Sequence, residues 1–159
     1  MNIKRISTLL VIVGVITALV TTAYTAKADD DSRRKLVGTW VCDIPGEAPF
    51  RALHTFHEDG TFIETSSLLG KGEEGPAHGA WKRDGNKYQL TFQLFAFDPT
   101  TGESVGMIRV RVSLRVDAPD HLTGINGVVE FIDPDGGVTQ LDSGPNPYTC
   151  TRLKVVPVE

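Results

Sequence analysis

Ile108-Arg109-Val110-Arg111-Val112-Ser113-Leu114-Arg115-Val116 alternates an aliphatic side chain with a charged or polar one at every step. Successive side chains of an extended strand point to opposite faces, so Ile108, Val110, Val112, Leu114 and Val116 read as an inner row and Arg109, Arg111, Ser113 and Arg115 as a solvent row. The preceding stretch repeats the pattern, with Tyr88, Leu90, Phe92, Leu94 and Ala96 turned inward and Lys87, Gln89, Thr91 and Gln93 outward. Between them lies Asp98-Pro99-Thr100-Thr101-Gly102, whose residue types favour a turn. The two rows therefore match as neighbouring antiparallel strands sharing one apolar wall.

Outward from this pair the same punctuation recurs, and no helical periodicity follows residue 28. Strands are expected at Leu36–Ile44, Phe50–His57, Thr61–Ser67, His78–Lys82, Lys87–Phe97, Val105–Val116, Leu122–Ile132 and Val138–Val155, the last interrupted near Gly144-Pro145-Asn146-Pro147. Glu58-Asp59-Gly60 makes the second and third a tight hairpin. Sequential strands joined by short turns form a meander, and closure removes its exposed edges. The expected fold is all-β, a single antiparallel up-and-down β-barrel of about eight strands, with a two-sheet sandwich as its rival.

At the N-terminus, Lys4 and Arg5 precede the apolar run Leu9–Val20, and Ala26-Lys27-Ala28 offers the small residues of a signal-peptidase site. A bilayer-spanning helix takes about twenty residues, so this shorter run favours a cleaved export signal over a membrane anchor. The implied organisation is a signal peptide at 1–28, a flexible N-terminal segment at 29–35 and a barrel domain at 36–156, exported to the periplasm or extracellular space. Cleavage removes Lys4, Arg5 and Lys27 but none of the 20 acidic residues, so the net charge moves from −4 to −7. Such a surface repels phosphates, which argues against a nucleic-acid partner, and no basic run serves anionic membranes.

Export also places Cys42 and Cys150 in an oxidising compartment, where a disulfide is the natural pairing and two buried free thiols the alternative. The bond would join the first and last strands, the pair that must meet if a sheet closes. Its loop spans 108 residues, for which chain entropy predicts roughly 4.8 kcal/mol of stabilisation.

Gly38-Thr39-Trp40 on the first strand, with Arg152 on the last, resembles the lipocalin signature of a strand tryptophan covered by a late arginine. That resemblance implies a barrel floor in which Gly38 lets the chain pass closely, Trp40 plugs the end and the Arg152 guanidinium lies over the indole. Pro49–Phe56, His78-Gly79-Ala80-Trp81 and Tyr88–Phe92 are similar to exported bacterial proteins with a lipocalin-like domain. The resemblance implies a small apolar or amphipathic molecule bound in the barrel mouth.

Among polar strand residues, His54, His57, Glu64 and His78 are the candidates for chemistry. His54 and His57 face opposite ways, and no third ligand stands at a recognisable spacing, so no metal site and no cofactor are expected. Asp133-Pro134-Asp135-Gly136 lacks the later ligands of a calcium loop and reads as a turn. No phosphate-binding loop or nucleophile elbow is present. His54 shares a face with Phe50, Ala52 and Phe56, and Glu64 can approach it across the hairpin. The expected pocket is therefore lined by His54, Phe56, Glu64, Phe92, Leu94, Val110 and Val112, with Trp81 on either side of the wall. A ligand-binding barrel leads. A small enzyme of cyclase or isomerase type, using His54 or Glu64, and an interaction protein with a filled barrel remain open as alternatives.

Overall fold

The computed structural model describes residues 35–69, 74–145 and 147–158. The signal peptide expected at 1–28 and most of the segment at 29–35 lie outside the described residues.

Nine strands follow one another: β1 (Gly38–Ile44), β2 (Phe50–Phe56), β3 (Thr61–Ser66), β4 (Ala77–Asp84), β5 (Lys87–Phe97), β6 (Ser104–Ala118), β7 (His121–Ile132), β8 (Val138–Gly144) and β9 (Tyr148–Arg152). Each strand from β1 to β7 pairs with the next, and β9 joins β7 to β1, so β1–β7 and β9 close into an antiparallel barrel of eight strands. Closure excludes the two-sheet sandwich.

Local chemistry accounts for the elements. In β5 the alternation holds, with Tyr88, Leu90, Phe92 and Leu94 buried and Thr91, Gln93 and Phe95 exposed. In β6 Val112 and Leu114 are buried while Ile108, Val110 and Val116 are half-buried. The turns use their polar residues on the backbone. Asp98 Oδ1 accepts from the Thr100 and Thr101 amides at 2.7 and 3.1 Å. Asp133 Oδ1 accepts from the Asp135 and Gly137 amides at 2.9 and 2.8 Å, the contacts of a turn.

Two expected strands differ. Leu36 precedes β1 in a helical turn, where its carbonyl accepts the Trp40 Nε1–H at 2.9 Å instead of entering the sheet. The last expected strand divides into β8 and β9, which share one edge of β7: His121–Gly124 pairs with β9 and Gly127–Ile132 with β8. Pro145 and Pro147 fall at the break, and neither has an N–H for a ladder.

The register of β6 against β7 slips between Ser113 and Leu114, where Ile125 is passed over. A bulge shifts a two-residue period by one. Leu122 and Gly124 therefore face inward before it, while Gly127 and Val129, opposite Val112 and Val110, face inward after it. Glu130 turns to the outer face, where its carboxylate takes Arg109 Nε at 2.7 Å and Arg111 Nη2 at 3.0 Å. Arg115 pairs with Asp117 at 2.5 Å. The arginine row is an outer face with local acid partners.

One end of the barrel is filled by side chains. Trp40 is fully buried and lies under the Arg152 guanidinium, 4.1 Å from ring centre to Cζ. Arg152 also donates to the carbonyls of Val37 at 2.7 Å and Pro119 at 2.8 Å. Gly38 has φ +121°, and a Cβ there would stand 2.9 Å from Arg152 Nη1, so both backbone and space call for glycine. Cys42 and Cys150 are register partners on β1 and β9 and are disulfide-bonded. Their Cα atoms are 4.0 Å apart, short of the usual span but suited to directly opposed antiparallel residues, which approach to about 4.5 Å.

Candidate functional site

The opposite end is not filled. A cavity of about 680 Å³ lies inside the barrel, walled on one side by Phe92 and Leu94 of β5, Ile108, Val110 and Val112 of β6, and Gly127 and Val129 of β7. Ile44, Pro45, Phe50, Leu68, Asp142 and Pro147 surround its mouth, and His54, Glu64, Glu74 and Tyr148 supply polar groups. The volume falls within the range of small-molecule sites, and the composition matches their usual form of an apolar wall with few polar groups.

His54 and Glu64 are direct partners across the β2–β3 hairpin, which the Asp59-Gly60 turn sets in register. His54 is 3% exposed and set among aromatic edges, with ring centroids at 5.2 Å to Phe62, 5.8 Å to Tyr148 and 6.3 Å to Phe56 and Phe92. These rings strip water from the imidazole, and burial lowers its pKa from 6.5 to about 4, so it stays neutral near pH 7. Its Nδ1 is buried without a hydrogen-bond partner among the described residues. Unpaired buried polar atoms are uncommon and call for a physical reason.

Glu64 is 7% exposed. Burial, and secondarily the Glu74 charge, pushes its carboxyl from 4.5 to about 7. Ser66 Oγ donates to Glu74 Oε1 in a short hydrogen bond. Burial, and then the Glu64 charge, pushes the Tyr148 phenol upward and keeps it protonated. Gly124 makes room for that ring: a Cβ there would stand 2.1 Å from the tyrosine Cε1. The polar end thus holds a neutral imidazole, a phenol and a carboxyl group poised between its two protonation states.

Of the expected ligand contacts, His54, Glu64, Phe92, Leu94, Val110 and Val112 stand in the cavity wall. Phe56 does not. It packs between Phe62 and Trp81 toward the filled end, with ring centroids at 5.0 and 6.2 Å, because the β2 face crosses from cavity to floor over this distance. Trp81 points inward below the cavity and donates Nε1–H to the carbonyls of His57 and Thr61. His57 and His78 are exposed, away from His54. Tyr148 was missed, although its two-residue spacing from inward Cys150 places it on that face. Ile44 carries the same signal, two residues from inward Cys42, whereas Glu74 and Asp142 carry none.

The possible ligand atoms of Cys42, His54 and Cys150 lie within 4.8 Å of one another. With both sulfurs held in the disulfide, this group presents one imidazole and no thiolate, far short of a metal donor set.

Fold and site together define a closed antiparallel β-barrel with an internal cavity. In comparisons with known proteins, no protein-family model and no curated protein matches the sequence. The structure is similar to the crystal structure of pallilysin from Treponema pallidum at 14% identity and a TM-score of 0.40, over 87% of this chain and 97% of that chain.

Proposed function

We propose that this chain is an exported, lipocalin-like protein that holds a small apolar or amphipathic molecule inside its barrel. The observation that carries the reading is the 680 Å³ cavity whose apolar wall ends in His54 and Glu64. The Cys42–Cys150 bond suits an oxidising compartment and supports export of the chain.

Binding is tested with the uncharged fluorescent probe N-phenyl-1-naphthylamine. Protein lacking residues 1–28 is expected to enhance its fluorescence saturably. Val110→Trp, which adds volume into the cavity, is expected to abolish the enhancement while retaining the far-ultraviolet circular dichroism of the sheet. No saturable signal from the parent protein, or equal binding by the folded Val110→Trp variant, would leave the filled-barrel reading in its place.

A second reading, an acid–base enzyme of cyclase or isomerase type, is favoured by Glu64 at about 7, where a carboxyl group can both give and take a proton near neutrality. Both readings use the same cavity. Turnover of a bound molecule, lost in Glu64→Gln with binding retained, distinguishes the enzyme from the binder.

A further inference from the structure

Resting on the proposal that the cavity binds a small molecule, we infer that its occupant is an amphipathic amine, an apolar body carrying a primary or secondary ammonium that docks against Glu64 beside His54. Three carboxyl groups border the cavity, Glu64 from β3, Glu74 from the segment ahead of β4 and Asp142 from β8, and its described lining contains no lysine or arginine. Glu74 is engaged by Ser66, so the inference rests on Glu64. The Glu64 carboxyl makes no hydrogen bond to the described residues although it is almost wholly buried.

Each neighbouring element faces Glu64 with a group that does not neutralise it. β2 presents neutral His54, β4 presents Ala77 in direct register, β9 presents the Tyr148 phenol, and Glu74 adds like charge. A buried carboxylate without a cation is costly, which is why Glu64 holds its proton up to about pH 7. An ammonium supplies the missing charge. It also gives a donor to His54, whose neutral ring has one acceptor nitrogen, and its charge is attracted to the aromatic rings beside it. A carboxylate ligand would instead meet repulsion from Glu64, and a plain alcohol would leave the charge unmatched.

The test uses 1-decylamine, 1-decanol and decanoate, each displacing N-phenyl-1-naphthylamine from the protein. At pH 8 decylamine is expected to bind roughly tenfold more tightly than decanol, the worth of one charge-assisted contact, with decanoate weakest. Between pH 8 and pH 6 the decylamine affinity is expected to fall, because protons compete for Glu64, while decanol affinity holds. In Glu64→Gln the preference for the amine should disappear with decanol binding retained. The wild-type ranking needs no variant to fold: decanol or decanoate equalling decylamine overturns the amine assignment and leaves the pocket standing. Failure of the probe and all three chains to bind overturns the pocket and the amine together.

Discussion

The two ends of this barrel are built from the same strands, yet one is closed by aromatic packing and the other opens into a cavity. At the floor, β1 and β9 are hydrogen-bonded partners, Trp40 and Leu122 have no exposed surface, and Arg152 seals the indole. At the mouth, β8 occupies the edge of β7 without pairing to β1, and its side chains are almost all exposed. The contrast teaches that closing a sheet and filling it are separate events. Close packing is concentrated at the floor, where apolar atoms touch on all sides, and the mouth encloses open space.

The largest expected effect comes from cutting the covalent tie between β1 and β9. Cys42→Ala with Cys150→Ala is expected to cost about 4 kcal/mol in urea unfolding, since the bond closes a 108-residue loop. A loss under about 1 kcal/mol would show that the β1–β9 ladder and Trp40 hold the floor without it.

The buried polar groups of the cavity wall respond to pH. His54 has a folded pKa near 4 against 6.5, so the unfolded chain binds its proton more readily and stability falls as pH drops from 6.5 to 4. Glu64, raised from 4.5 to about 7, has the opposite sign: the folded protein keeps its proton, and stability falls as pH rises from 4.5 to 7. Each amounts to about 3 kcal/mol, and between pH 4.5 and 6.5 the two nearly cancel. Relative to wild type, His54→Leu is therefore expected to gain stability at pH 4 and little above pH 7. Glu64→Gln should gain above pH 7 and little at pH 4. Urea midpoints across pH 4–8 check both, and parallel profiles would contradict the buried, unpaired state of the two groups.

A smaller difference sharpens the comparison with identical chemistry at each end. Leu114→Ala removes atoms from a site with no exposed surface, whereas Leu94→Ala widens a space that already exists. About 4 kcal/mol is expected for the first and about 2 kcal/mol for the second, the upper and lower parts of the range for such truncations. Equal losses in thermal or urea unfolding would mean that the mouth is as tightly supported as the floor.

The same division governs what could be read from the sequence. Strict alternation in β5 and β6, the Asp-Gly and Asp-Pro turns, and a cysteine in each terminal strand carry the closed barrel, because period-two patterning and turn chemistry are local properties. The His54–Glu64 juxtaposition follows from one short turn. Phe56 was expected beside a ligand because it shares a face with His54, but a face that runs the length of a tilted strand passes from cavity to floor. The inward set of β7 was not legible, since the bulge at Ile125 exchanges even for odd residues without a signal in the chain. Nor does one sequence position show that Gly144-Pro145-Asn146-Pro147 divides a strand whose halves both remain on β7.

The Cys42–Cys150 bond also changes the topology of the molecule. From Cys42 through the hairpins to Cys150 the backbone and the two sulfurs make a covalent ring. Cutting a ring once leaves one piece. A single break at an outlying turn such as Asp98–Gly102 therefore creates new chain ends without releasing a fragment, and the sheet on either side stays tethered to its counterpart.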